Sequence, residues 1–112
     1  MTWDELRELA RRLPGVEDGA SYGTPALKVR GKLLARLKED GADVVLFTDP
    51  AEKEFLLASD PAVFHQTPHY EGWPALLARL AALDPAWTAA HLERRWRDLA
   101  GKRAVAAWEA TR

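Results

Sequence analysis

Cysteine is absent from this chain of 112 residues. That excludes disulfides, thiolate nucleophiles, iron–sulfur clusters and every zinc site that depends on sulfur. Asparagine and isoleucine are missing too, and Gln66 is the one side-chain amide. The surplus of Ala, Leu and Arg fits a GC-rich coding sequence, and the scarcity of labile amides matches a trend in thermophilic proteins. No stretch approaches the roughly 18 uninterrupted apolar residues of a membrane span. The opening segment MTWDELRELARRL is acidic in its first turn and then amphipathic. It lacks the basic start and apolar run of a secretory signal, so the expectation is a cytoplasmic protein without a membrane partner.

Catalytic signatures are scarce as well. Ser21, Ser59 and Tyr22 lie in no nucleophile-elbow context, and no glycine loop of the phosphate-cradling kind occurs. His65 and His69 have the spacing of a metal pair, but Pro68 interrupts any helix between them and Glu71 is the one close carboxylate. The sequence therefore gives no reason to expect catalytic residues, a metal or a cofactor, and it reads as a non-enzyme.

What is present is a globular composition, with 47% hydrophobic and 29% charged residues, a length suited to one domain spanning 1–112, and a formal net charge of -1. Thr2 followed by Glu5 makes a capping box, after which Trp3, Leu6, Ala10 and Leu13 share a helical face until Pro14-Gly15. Asp-Pro-Ala recurs at 49–51, 60–62 and 84–86, pairing an N-cap with proline at the first helical position. The first predicts a helix from Pro50 to about Ala58 and the third one from Pro85 to Ala100, closed by Gly101. The second predicts no more than a single turn.

Between the first two helices, Leu27, Val29, Ala35 and Leu37 alternate with Lys28, Arg30, Arg36 and Lys38. Alternation of this kind is a hairpin with one apolar and one cationic face. A three-residue loop, Gly31-Lys32-Leu33, brings Leu27 opposite Leu37 and Lys28 opposite Arg36, so that loop is expected. Val44 to Thr48 reads as a further strand. Val63 to Thr67 and Trp73 to Leu80 read locally either as strands or, given Pro74 and the run ALLARLAAL, as helix.

The charges divide into two groups. Lys28, Arg30, Lys32, Arg36 and Lys38 place five cations and no anion within residues 22–38. Such a ribbon suits a polyanion, each cation neutralising a phosphate; a solubilising sheet surface accounts for the same charges. Lys32, at the turn, is the best placed to reach a partner. Arg94, Arg95, Arg97, Lys102 and Arg103, offset by Asp98, form a second run, which cations at a helix C-terminus would also explain. Of five tryptophans, Trp3 and Trp96 fall on apolar stripes, while Trp108 lies past Gly101 and is the expected exposed anchor.

The stretches Leu13-Pro14-Gly15-Val16-Glu17, Tyr22-Gly23-Thr24-Pro25 and Gly31-Lys32 with Ala35-Arg36-Leu37, followed by Asp49-Pro50-Ala51-Glu52, Asp60-Pro61 and Gly72-Trp73, resemble the MmcQ/YjbR family of small bacterial proteins. The resemblance implies an α+β, CyaY-like fold, a twisted antiparallel β-sheet with helices packed on one face, in which residues 63–67 and 73–80 are strands. It also implies a DNA-binding protein with two β-hairpin wings, the first carrying Lys28, Arg30, Lys32, Arg36 and Lys38. The second, from His65 to Arg79, is poorly basic here. Frataxins, which share that fold, bind iron through an acidic first helix; here Arg7, Arg11 and Arg12 offset Asp4, Glu5 and Glu8. The expected function is thus DNA binding by a monomer or weak homodimer. The alternatives are a protein-interaction or homodimerisation module near Trp108 and a small-molecule binder on the open sheet face, with Tyr22 and Trp73 at its rim.

Overall fold

The computed structural model describes all 112 residues. Helix α1 (Trp3–Arg11) opens with the expected reciprocal cap, Glu5 N–H donating to Thr2 and Thr2 N–H to the Glu5 carboxylate at 2.8 Å. Strands β1 (Val16–Ser21), β2 (Thr24–Val29), β3 (Lys32–Leu37) and β4 (Asp43–Phe47) follow as an antiparallel meander. Helix α2 (Pro50–Ser59) crosses to β5 (Phe64–His65), a 3-10 turn at Pro68–Tyr70 and β6 (Ala75–Arg79). Helices α3 (Pro85–Ala100) and α4 (Lys102–Glu109) close the chain.

The six strands form one antiparallel sheet in the order β1-β2-β3-β4-β6-β5. This is the α+β arrangement with helices on one face that the resemblance implied. Each of the two segments left open by local composition holds a strand, shorter than expected: only Phe64–His65 of 63–67, and Ala75–Arg79 of 73–80, with Leu80 passing into a 3-10 turn. Pairing of Val44, Val45 and Leu46 with Ala78, Leu77 and Leu76 overrides the helical propensity of Ala and Leu.

Register assigns the two faces. Leu27 lies opposite Ala35, Ala35 opposite Leu46, Leu46 opposite Leu76, and all four join the main core beneath the helices, with Leu6, Leu56, Leu92 and Trp96. Trp96 is fully buried, and its indole N–H donates to Pro14 O at 2.7 Å, pinning α3 to the end of α1. On the opposite face Ala26, Arg36, Val45, Leu77 and His65 form a row across five strands. Its β4–β6 half is covered by Tyr70 in a small second cluster with Val45, Ala75 and Leu77.

The hairpin departs from expectation at its turn. The loop has two residues, Arg30 and Gly31, both at positive φ (53° and 78°), and Lys28 pairs with Leu33 rather than Arg36. Leu27 pairs with Ala35, so the register shifts by one residue at Leu34. Parity requires an odd insertion; the fold supplies it as a β-bulge within the strand instead of a longer loop. The bulged Leu34 is 1% exposed, so it adds a side chain to the core. Leu27, Val29 and Ala35 keep a common apolar face, but ahead of the bulge Lys32 stands on the Val29 side and Leu33 on the Lys28 side. Strand β1, absent from the sequence reading, has the composition VEDGAS; Asp18 holds it to α1 through a bidentate pair with Arg7 (2.6 and 2.8 Å) and a further bond from Arg11.

Candidate functional site

The five hairpin cations occupy different environments. Arg36 is 6% exposed: Nη1 donates to Thr24 Oγ1 at 3.2 Å and Glu39 Oε1 at 3.0 Å, and Nη2 to Tyr70 Oη at 3.0 Å. Backbone hydrogen bonding and then Arg36 hold the Glu39 carboxyl below its usual range. Lys38 is half-buried, 3.4 Å from Glu39 and above the Tyr70 ring. Lys28 is half-buried and stands opposite Glu17 in the strand register without forming an ion pair with it. Arg36 and Lys38 thus belong to an internal polar layer rather than to an open cationic face.

Arg30 and Lys32 are exposed at the turn and enter no ion pair. Positive φ at Arg30 and Gly31 makes a type I′ turn, and Lys32 follows as the first residue of β3, opposite Val29. The Arg30 guanidinium reaches the α3–α4 corner, where a Cβ on Gly101 would lie 2.8 Å from its Nη1. Gly101 itself sits at φ +90°, which an L side chain adopts only with strain.

That contact joins the hairpin turn to the second basic run, which also divides. Arg94 pairs with Glu52, and Arg97 with Glu93 and Glu109; the Glu109 bond raises the Arg97 pKa. Arg95 lies over the Phe47 ring at 4.4 Å and donates to Leu33 O at 3.1 and 3.3 Å. Lys102 and Arg103 are exposed and unpaired. They do not close α3 but open α4, whose N-terminus carries no side-chain cap. Cations there meet the positive end of a helix dipole, the reverse of the favourable C-terminal placement expected from the sequence. Gly101 fitted a helix end, but nothing in the sequence reading marked a second helix starting immediately after it.

The second wing offers no such group. Arg79 is bonded to the carbonyls of Pro61 and Ala62, His65 lies 3.1 Å from Asp43, and His69 stacks on Trp73 with centroids 6.2 Å apart. The two histidines thus face different neighbours. Trp108, the expected exposed anchor, packs edge-on against Trp96 at 5.0 Å and lies beneath Arg97 and Arg112. The exposed large apolar side chains are Tyr22, Phe55 and Trp73.

A YjbR family model matches residues 11–98. "Uncharacterized protein Mb2600" of Mycobacterium bovis and "Uncharacterized protein Rv2570" of Mycobacterium tuberculosis are each 29% identical over 98 residues, with 74% of this chain and 76% of theirs covered. Among solved structures, the Deinococcus radiodurans protein DR2400, a DUF419 domain, matches with a TM-score of 0.71 at 19% identity, covering 85% of this chain and 75% of that one. That last likeness concerns the fold alone.

Proposed function

This chain belongs to the YjbR family, and from that premise we propose that it is a non-enzymatic cytoplasmic DNA-binding protein. Its contact surface is the end of the molecule where Arg30 and Lys32 meet Lys102 and Arg103. The observation that carries the reading is this junction itself. Two segments far apart in sequence bring four exposed cations without carboxylate partners to one end, and the Lys102–Arg103 pair sits where the helix dipole disfavours it. Elsewhere Arg7, Arg36, Arg94 and Arg97 are matched with acids.

Four cations neutralising four phosphates give a logarithmic salt slope of about -3.6 on duplex DNA. Amide side chains that read adenine are absent from this end, so any base contact there falls to Arg30, Lys32, Lys102 and Arg103, whose guanidinium and ammonium groups suit phosphates and guanine. Fluorescence anisotropy with a labelled duplex of about 20 base pairs, titrated across salt, tests this. The combined variant R30E/K32E/K102E/R103E should lose binding while keeping its circular dichroism spectrum. Retained binding in that variant would sink the proposal.

A further inference from the structure

A cleft of about 570 Å³ opens between α2 and the segment that runs from β5 to β6. Leu57 and Pro74 give it apolar walls, and Trp73, 59% exposed, stands in it. The indole is held by its surroundings. Lys53, on α2, donates to the carbonyls of Tyr70 and Trp73, and Trp73 N–H donates to Tyr70 O at 3.0 Å. The next residue is tied to the sheet, Thr48 N–H donating to Pro74 O at 3.0 Å. His69 stacks on the indole and does not line the cleft, which leaves the rest of the ring to a ligand.

Three charged groups line the same cleft. The Lys53 ammonium is 8% exposed and engaged by its two carbonyls; burial lowers its pKa, against the opposite pull of Glu71. Glu54 and Glu71 are exposed and enter no ion pair. The cleft thus carries one net negative charge, its carboxylates accessible and its cation sealed beneath. Carboxylates alone describe a solvated surface. An exposed indole fixed beside them selects a ligand, because the face of a tryptophan attracts a cation more strongly than any other side-chain ring. An anion would meet two carboxylates here, and a neutral apolar ligand would leave both without a counterpart.

We propose that this cleft binds an alkylammonium ion, its head group against Trp73 and flanked by Glu54 and Glu71, its alkyl part on Leu57 and Pro74. The site uses none of the four cations assigned to DNA, so either reading can fail alone.

Indole and backbone amide NMR shifts, followed at constant ionic strength during titration with choline and separately with N-acetyl-lysine methylamide, test it. Shifts centred on the Trp73 indole N–H, Gly72 and Leu57 should saturate at millimolar concentrations, the strength of one cation–π contact beside screened carboxylates. The tighter probe assigns the source of the head group, a free quaternary ion or a lysine side chain on a peptide. Trp73→Leu should weaken binding about tenfold. The isosteric double variant E54Q/E71Q should weaken it about fivefold with an unchanged melting temperature. Absence of saturable shifts up to about 50 mM, well past millimolar affinity, would overturn the assignment. So would equal shifts from 3,3-dimethylbutan-1-ol, which carries carbon in place of choline's nitrogen, or unchanged affinity in E54Q/E71Q.

Discussion

Arg36 and Lys32 sit on the same short strand, and although simple alternation would give both to one side, the bulge at Leu34 sets them on opposite faces, Arg36 beside Ala26 and Lys32 beside Val29. One is enclosed by Tyr70, Thr24 and Glu39; the other stands free at the turn. Charge of one sign on one ribbon is therefore two things: a structural layer that organises the open face, and a small surplus available to a partner. A count of cations does not separate them, because pairing depends on what the rest of the chain folds onto the strand.

The largest expected effect separates the two directly. Arg36→Met leaves the buried Tyr70 hydroxyl without its partner and should lower stability in urea by about 2–3 kcal/mol, with DNA affinity of the folded protein unchanged. A change in affinity at unaltered stability would instead make Arg36 a surface charge.

An intermediate effect concerns His91. Burial holds its pKa below 6.5, against the opposite pull of Glu52. As pH falls below 6.5 the unfolded chain takes up the proton first, so stability declines from there toward the lowered folded value and then levels off. Denaturant titrations across that range should show the slope, and His91→Gln should remove it while leaving the carboxylate losses at lower pH.

At the open end the effects on folding are small. Lys102→Glu places an anion in the first turn of α4 and should raise stability by about 0.3–1 kcal/mol at low salt, while weakening DNA retention. Smaller still, Lys32→Ala should change stability by no more than about 0.5 kcal/mol. It should flatten the salt slope of DNA binding by about 0.9. A large loss of stability in either variant would erase the contrast with Arg36.

Much of the architecture was legible from caps and alternation. Asp49 and Asp84 launch α2 and α3 where expected, each accepting from the backbone N–H three residues on, and the resemblance supplied the strands that Ala75 to Arg79 conceal. Strand β1 was not legible because its stability comes from pairing with β2 and from the Arg7–Asp18 tie, not from propensity. The bulge at Leu34 was hidden because two-residue turns and bulged strands produce the same parity as an odd loop. Of the site, Arg30 and Lys32 were visible and Gly101 was read as a helix end, whereas the reach of Arg30 to that corner depends on how α3 and α4 pack against the sheet.

The two-residue turns at Tyr22-Gly23 and Arg30-Gly31 have a kinetic consequence. Strands β1 to β3 assemble by closing very short loops, whereas β4 meets β6 only across residues 48–74. Loop-closure entropy makes that second step costlier by on the order of 2 kcal/mol, so the meander is the part able to form early. Lys53, reaching from α2 to the carbonyls of Tyr70 and Trp73 at 2.6 and 2.8 Å, then fastens the crossover from within. A single ammonium group thereby ties the crossover helix to the segment that leads into β6.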